Sequence, residues 1–345
     1  MNPKMIEFLE WARYQYRSCN GKLHRLKKRL GIVTNDSNKP SESQTSNTSL
    51  NLTPNYTGQA ASDVIKEHIA NDKPCLIGRM GTSELYPVLR YLSIRERRQY
   101  PLQKSINYIL GRSEPFWWDD KVISDLVFNA GFFPKDYLIV SRFCERLLED
   151  IKLIDILGSW IADEYQIIHL LNNPIIVQLP DLEPYYHEHP WSEALAGKTV
   201  LVIHPFAESI QRQYERRTLL FQDPKVLPEF TLKTLKAVQS IAGNPCGFDS
   251  WFDAFDWMCE QINRIEFDVA IIGAGAYSIP LAAHVKRLGK KAVYLGGATQ
   301  ILFGIRGKRW DEMPFFQKLY NEYWVRPLPS EVPTDHQRVE GGCYW

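Results

Sequence analysis

Blocks of hydrophobic and polar positions alternate along the chain and predict alternating strands and helices. The runs with the length and apolar character of strands are residues 75–78, 137–140, 166–170, 174–178, 199–204, 268–273 and 291–295. Apolar positions with helical spacing lie in residues 61–70, 83–92, 119–130 and 146–161. Strands that alternate with helices are typical of a mostly parallel sheet covered on both faces. We therefore predict an α/β fold.

The first sixty residues follow a different pattern from the rest of the chain. Apolar positions spaced among many basic side chains over residues 3–30 predict a helix. Residues 34–62 are rich in Ser, Thr, Asn and Pro and have few large apolar side chains, which predicts a flexible linker. The predicted organisation is a basic amphipathic helix (1–32), a flexible linker (33–60), a catalytic body (61–328) and a C-terminal tail (329–345).

The predicted basic helix has two interpretations. In the first it rests on anionic lipid at a membrane surface or contacts a membrane-bound partner. In the second it is a solvated helix or a coiled-coil arm, which composition alone favours. Both interpretations stay open at the level of sequence.

Composition narrows the classes of protein that the chain can represent. The 345 residues are 44% apolar, which excludes disorder of the whole, and 41 basic against 40 acidic side chains leave a net charge of +1. A chain without a global positive field is not a typical nucleic-acid binder. The six cysteines show no CxxC spacing, and neither a secretory signal nor an apolar run of about 18 residues is present. We expect a cytoplasmic protein, with residues 1–30 as a candidate peripheral contact to the inner face of a membrane.

The stretch from residue 268 to residue 289 carries the clearest functional pattern. An apolar strand ends in Gly273 and Gly275, and Ala276 and Tyr277 open a helix that Gly289 ends. Such a turn points unpaired N–H groups and a partial positive charge at an anionic ligand. A purely structural glycine turn is the alternative. The glycine pair Gly296 and Gly297, after the next strand, favours a ligand because open α/β sheets bind ligands at adjacent strand ends.

A dinucleotide site fits this stretch poorly. Ser278 stands where a GxGxxG fingerprint has its third glycine, and no acidic residue follows the next strand to hold a ribose. Three cations nearby, Arg306, Lys308 and Arg309, have the chemistry of a diphosphate clamp. The alternative for these cations is a solvated basic loop.

Two earlier strand ends also carry polar side chains. The first strand of the body leads into Arg79, Gly81, Thr82 and Glu84, a loop that becomes a helix start suited to an anion. Glu84 also has a purely structural explanation, because a helix dipole favours a carboxylate in the first turn. The strand at 199–204 ends in His204, which is a candidate proton shuttle, a ligand contact or a hydrogen-bonded structural histidine.

The loop Arg79-Met-Gly-Thr-Ser-Glu84 and the block 268–297 together resemble the glycosyltransferases of the GT-D fold. That family has an Arg-Phe-Gly-Asp-Gly-Glu type loop early in the chain and a strand-glycine-helix followed by a strand ending in glycine late. Arg79, Gly81 and Glu84 match the Arg, the first Gly and the final Glu of the family's loop, whereas Thr82 and Ser83 replace its Asp and second Gly. The order of elements is similar over residues 60 to 325.

The resemblance implies a Rossmann-like nucleotide-binding sheet, a nucleoside-diphosphate sugar as donor and a divalent metal, Mn²⁺ or Mg²⁺, with Glu84 as a ligand. Thr82 argues against the metal, because it replaces the hard anionic oxygen that such ions prefer. The acceptor implied is a glycan or a lipid-linked glycan of bacterial surface-polysaccharide assembly.

The predicted function is therefore glycosyl transfer from a nucleotide sugar. Residues 273–277 and the cluster 306–309 are expected to stabilise the leaving diphosphate, and Glu84 to take the proton of the acceptor hydroxyl. Two alternatives remain: a nucleotide-dependent oxidoreductase that uses the same glycine turn, and a non-catalytic scaffold of a polysaccharide assembly complex, which the loss of the family Asp at Thr82 keeps open.

Overall fold

A computed structural model describes residues 5, 8–9, 11–16, 52–96, 102–110, 112 and 118–345. The chain divides into two compact units. The larger unit comprises Leu50–Val88 and Ser124–Trp345, and the smaller unit comprises Met1–Ser49 and Leu89–Ile123. The two units are considered separately below.

A seven-stranded sheet forms the centre of the larger unit, and every pair of neighbouring strands is parallel. The strands are β1 (Cys75–Gly78), β2 (Ile156–Ser159), β3 (Ile175–Gln178), β4 (Thr199–His204), β5 (Thr231–Lys236), β6 (Val269–Ile272) and β7 (Lys291–Tyr294). Their order across the sheet is β3-β2-β1-β7-β6-β4-β5. This architecture confirms the predicted α/β fold with a Rossmann-like parallel sheet.

Helices separate most of the strands. The α-helices, labelled in chain order from residue 59, are α1 (Gln59–Ala70), α2 (Thr82–Glu96), α3 (Leu102–Ile109), α4 (Asp120–Ala130), α5 (Tyr137–Asp150), α6 (Ala207–Tyr214), α7 (Trp251–Asn263), α8 (Ser278–Arg287), α9 (Ala298–Leu302), α10 (Lys308–Asp311) and α11 (Pro314–Leu319). Within the described ranges, no helix combines the length and the apolar character needed to cross a bilayer.

The core of the larger unit lies on both faces of the sheet. All four residues of β1 and of β6 are buried. The register pairs Ile77 of β1 with Val293 of β7, and Ile271 of β6 with the same residue. Strands without a solvent-facing side read as continuous apolar runs, which is why the hydrophobic pattern identifies them.

Strand order also determines where a ligand can bind. The chain leaves β4 toward its outer neighbour β5, and leaves β6 in the opposite direction, toward β7. Neighbouring strands whose connections diverge leave a crevice outside their carboxyl ends. His204 and Gly273 follow these two strands, so the topology places both at the crevice.

Three predicted elements differ from the structure. Residues 137–140 are the first turn of α5, because the Asp136 side chain accepts hydrogen bonds from the amides of Leu138 and Ile139 and so caps a helix there. The predicted helix 146–161 ends at residue 150, and β2 follows it. Residues 166–170 form 3₁₀ turns.

The described part of the smaller unit is helical. Residues 11–16 are helical, and the Arg13 guanidinium lies 4.2 Å from the ring centroid of Tyr108 in α3. The predicted basic helix and linker lie largely outside the described residues, which leave out 17–51, so both stay predictions.

Candidate functional site

A cleft opens at the carboxyl ends of the parallel strands. Counted to its open mouth, it encloses about 980 Å³ of empty space. The segments that follow β1, β2, β4, β5, β6 and β7 all contribute to its lining, together with the end of α4 and residues 340, 344 and 345. Every lining residue belongs to the larger unit. The cleft is therefore the site that the strand order favours.

Arg79, the first residue after β1, is a half-buried cation in this cleft. Its guanidinium lies 5.0 Å from the ring centroid of Trp160 and 5.8 Å from that of Tyr294. Its Nε atom is buried and has no hydrogen-bond partner among the described residues. A buried N–H without a partner is destabilising unless a ligand or water satisfies it. Arg79 is thus arranged to receive an acceptor oxygen.

Glu84 lies in the first turn of α2 and is buried, with 7% of its surface exposed. Burial raises the pKa of its carboxyl group, and the nearby Arg79 guanidinium opposes that shift. Gly81 makes the space for this carboxylate, because a Cβ at residue 81 would overlap Glu84 Oε2. The Gly-x-x-Glu spacing in the loop therefore has a steric reason: the glycine leaves room for the glutamate.

His204 ends β4 and is 5% exposed. The backbone N–H of Phe206 donates to its Nδ1 over 3.0 Å, so the neutral ring carries its proton on Nε2. Burial lowers the pKa of His204 to about 3, which keeps the ring neutral at physiological pH. In this state His204 is a hydrogen-bond donor to the cleft, and its remaining lone pair is already engaged.

The glycines after β6 have different structural reasons. A Cβ at Gly273 would lie 2.6 Å from the Gly296 carbonyl oxygen and 2.7 Å from His204 Cδ2. Gly275 has a positive φ of 55°, and a Cβ there would lie 2.5 Å from the Ala130 carbonyl oxygen. Gly273 thus lets three strand ends approach each other, whereas Gly275 lets the turn pack on the end of α4.

Ala276 and Tyr277, which the sequence predicts as binding residues, differ in their position relative to the cleft. Tyr277 lines the cleft, but its ring also stacks on Trp251, with centroids 4.9 Å apart and planes at 4°. Ala276 is buried and does not contribute to the lining. Within this pair, Tyr277 alone is positioned to meet a ligand.

The two glycines after β7 lie beside Arg79 and Tyr344 and have different structural reasons. Gly296 has a φ of 62°, which favours glycine, while a Cβ there would lie at an ordinary contact distance of 3.7 Å from Arg79 Cζ. A Cβ at Gly297 would lie 2.7 Å from the Tyr344 ring. Gly297 therefore leaves room for Tyr344 in the cleft, whereas Gly296 serves the turn of the backbone.

The predicted basic cluster divides in the structure. Arg309 lines the cleft, where it pairs with the Glu340 carboxylate and lies 4.8 Å from the Tyr344 ring centroid. Arg306 instead pairs with Asp311 at 3.3 Å, and the ammonium group of Lys308 donates to the Gly341 carbonyl. Neither Arg306 nor Lys308 lines the cleft. The three cations do not converge, because Gly307 and the short helix α10 direct their side chains apart.

Several cleft residues lie outside the sequence-predicted set. They are Ser83, Asn129, Trp160, Gln239, Tyr294, Gln300, Glu340, Tyr344 and Trp345, among others. Tyr294 ends β7, a strand that the sequence predicts, so the rule that identified Arg79 would have identified it, whereas Trp160 follows β2, which lies within the predicted helix 146–161. Asn129, Gln239 and residues 340–345 come to the cleft from distant parts of the chain, and no local sequence signal marks them.

Two further carboxyl groups follow β2 and β3: Glu164, which is buried, and Glu183, which is half-buried. Glu164 accepts hydrogen bonds from the Ser159 hydroxyl (2.5 Å) and the Trp160 amide (3.2 Å), and its Oε1 is buried without a partner among the described residues. Burial raises the pKa of Glu164 to about 7, and burial likewise raises the pKa of Glu183 to about 7. The Arg79 guanidinium opposes both shifts.

The donor set of the cleft does not fit the divalent metal that the resemblance implies. No three His, Cys, Asp or Glu side chains of the described residues come together as a metal site. Of the two acidic residues in the lining, Glu340 is paired with Arg309, and Glu84 lies beside Arg79, whose charge repels a second cation.

We compared the chain with protein-family profiles, with curated proteins and with solved structures, and no match was found in any of the three.

Proposed function

We propose that the protein is a glycosyltransferase that moves a sugar from a nucleoside-diphosphate sugar to a hydroxyl group of a glycan or lipid-linked acceptor. The observation that carries the proposal is the Arg79 guanidinium, with its unpartnered buried Nε, beside the Glu84 carboxylate in a cleft at the ends of parallel strands. A fixed cation next to a carboxylate suits a reaction in which an anion leaves and a proton is taken up. The resemblance of residues 79–84 and 268–297 supports the same class.

In the proposed reaction, Arg79 and Arg309 stabilise the charge that develops on the leaving diphosphate. The bond from the anomeric carbon to the phosphate oxygen breaks, and its electron pair leaves with the nucleoside diphosphate. A planar guanidinium can donate two parallel hydrogen bonds to phosphate oxygens, which is the geometry that such a leaving group needs. Since Arg309 is paired with Glu340, Arg79 is the cation that is ready for the donor.

Glu84 is proposed to take the proton of the acceptor hydroxyl as that oxygen bonds to the anomeric carbon. A general base is most effective when its pKa lies near the working pH, and burial raises the pKa of Glu84 in this direction. His204 is too weak a base for this role because burial lowers its pKa to about 3. We assign His204 the role of a neutral donor to a sugar or phosphate oxygen.

The biological setting remains part of the proposal. The acceptor class, polysaccharide assembly, comes from the resemblance. A location in the cytoplasm, with the basic residues of 1–30 contacting the inner face of the membrane or a membrane protein, follows from the sequence pattern alone.

A binding screen tests the proposal first. Purified protein is titrated by calorimetry with UDP, GDP, CMP and NAD, each with and without Mn²⁺. We expect one nucleoside diphosphate to bind, and to bind without Mn²⁺. Binding of NAD with no binding of any diphosphate would instead support the oxidoreductase, and the absence of all nucleotide binding would support the non-catalytic scaffold.

Two variants then separate the proposed roles. Arg79→Met should weaken nucleoside-diphosphate binding by roughly 100-fold, because a charge-assisted hydrogen bond contributes about 1.5–3 kcal/mol, and leave binding of the nucleoside unchanged. Glu84→Gln should abolish transfer or hydrolysis of the donor while the nucleotide still binds. The exposed Arg264, which does not line the cleft, provides the matched charge control as Arg264→Met. A fully active Glu84→Gln enzyme would remove Glu84 from the mechanism.

A further inference from the structure

The cleft has two chemically different ends. At one end, Arg79, Glu84 and Arg309 are charged. At the other, the lining consists of residues 129–131, 238–241, 274, 275 and 277, none of which carries a charged side chain. His204 and Gly273 lie between the two ends. They are close neighbours, because a Cβ added at Gly273 would lie 2.7 Å from His204 Cδ2.

The segments that line the uncharged end are in contact with one another. The Ser240 hydroxyl donates to the Gly131 carbonyl over 2.5 Å, which joins the segment after β5 to the end of α4. Gly275 packs against the Ala130 carbonyl, which joins the turn after β6 to the same place. The backbone of Gly131 and Gly275 and the apolar side chain of Ile241 line the cleft there without a charged group. An uncharged lining of this kind suits an uncharged ring.

Two side-chain carboxamides at this end are available to form hydrogen bonds with a ligand. Asn129 and Gln239 are both half-buried in the lining. Neither side chain makes a hydrogen bond to another described residue, and the buried hydroxyl of Tyr277 at the same end also has no partner among them. The Ser240 hydroxyl, in contrast, is engaged with the Gly131 carbonyl. A carboxamide presents a donor and an acceptor side by side, which matches the alternating donors and acceptors along the edge of a nucleobase.

We propose that the uncharged end of the cleft is the nucleobase subsite, and that Asn129 and Gln239 determine which base is accepted. The inference rests on the proposed function, since it assigns the diphosphate of the same ligand to Arg79. A site that hydrogen-bonds its ligand discriminates strongly against an analogue whose groups leave buried partners unpaired. Base selection therefore resides in residues that take no part in the chemistry.

The test compares ligands with and without a base. Wild-type protein and the variants Asn129→Leu and Gln239→Met are titrated with UDP, GDP and inorganic pyrophosphate. We expect the preferred nucleoside diphosphate to bind the wild type at least 10-fold more tightly than pyrophosphate. Each variant should lose roughly 10-fold in affinity for that nucleotide and reduce the UDP-to-GDP preference, with pyrophosphate binding unchanged, because each removes one hydrogen bond to the base.

Matched controls and a milder variant keep the result interpretable. The exposed Asn172 and Gln222, outside the lining, receive the same changes as Asn172→Leu and Gln222→Met and should alter nothing. Gln239→Glu preserves the shape of the side chain and removes its donor, so it should change base preference even where Gln239→Met unfolds the site.

The outcomes separate this inference from the proposed function. Equal affinities of the wild type for pyrophosphate and nucleotides, or variants that weaken pyrophosphate as much as nucleotide, would overturn the nucleobase subsite and leave the Arg79 anion site standing. A wild type that binds neither pyrophosphate nor any nucleotide would overturn both.

Discussion

At the scale of single residues, Gly81 and Glu84 depend on each other. The carboxylate of Glu84 occupies the volume that any side chain at residue 81 would need. The backbone at Gly81 does not have the positive φ that would by itself require glycine. The requirement for glycine at this position is thus a requirement of Glu84, and it disappears when that carboxylate is removed.

This dependence predicts a strong coupling in a double-mutant cycle. Gly81→Ala in the wild type should lower the free energy of unfolding by about 1–3 kcal/mol, as overpacking of a filled site does. In a Glu84→Ala background the same change should cost less than about 0.5 kcal/mol, since the clash is gone. Urea denaturation of the four proteins measures both values. Equal costs in the two backgrounds would show that Gly81 has another role.

Glu164 gives a prediction about pH. Its pKa is raised by burial to about 7 in the folded protein, against about 4.3 for an unfolded glutamate. A group with a raised folded pKa contributes its full stability below pH 4 and loses it as pH rises to 7 and above. Glu164→Gln mimics the protonated form, so we expect it to stabilise the protein by about 1 kcal/mol at pH 5 and by about 3–4 kcal/mol at pH 8.

The measurement is the free energy of unfolding of wild type and Glu164→Gln at both pH values. The exposed Glu188, changed to Gln, is the control and should give the same difference at pH 5 and pH 8. A Glu164→Gln protein that is less stable at pH 8 than the wild type would show that the carboxylate is ionised and favourable in the fold.

At the scale of elements, the start of α6 is already occupied by a carboxylate of the chain itself. Glu331, which is 3% exposed, accepts hydrogen bonds from the amides of Glu208 (2.9 Å) and Ser209 (3.2 Å) and from the Ser209 hydroxyl. A carboxylate at a helix amino terminus satisfies unpaired N–H groups and interacts favourably with the helix dipole. This contact attaches the segment around residue 331 to the element that follows β4.

Removal of this contact should destabilise the larger unit. We expect Glu331→Ala to lower the free energy of unfolding by about 2–3 kcal/mol, and Glu331→Gln by about half as much, because the amide oxygen still accepts one hydrogen bond. Glu322→Gln, at an exposed position, serves as the control. Denaturation curves monitored by circular dichroism give the values, and a Glu331→Ala protein as stable as the wild type would contradict the capping role.

At the scale of the whole molecule, the sheet could be predicted because its central strands are buried on both faces. The same rule could not find β5, an edge strand whose sequence Thr-Leu-Lys-Thr-Leu-Lys has apolar side chains at only two of its six positions, three residues apart. It also predicts a strand for Tyr-Leu-Ile-Val at 137–140, because these residues have a high β propensity. In the structure they begin a helix that the Asp136 side chain caps. Local composition is overridden in such places by a single hydrogen-bonding side chain.

The candidate site could be predicted only where it is made of strand ends. Arg79, Glu84, His204 and Gly273 converge because parallel strands direct their carboxyl ends to one edge of the sheet. The pairing of Arg309 with Glu340 depends on a long-range fold-back and has no local sequence signal. The sequence could therefore indicate the cleft residues at strand ends, but not those that reach the cleft from distant parts of the chain.

The position of residues 344 and 345 in the cleft has a consequence for the order in which the protein is made. The last strand of the sheet ends at Tyr294, so a ribosome has synthesised all seven strands well before it reaches Tyr344. Until Tyr344 is added, the ring that lies beside Gly297 is missing from the cleft. All seven strands are thus synthesised before residues 344 and 345, which contribute to the lining of the cleft.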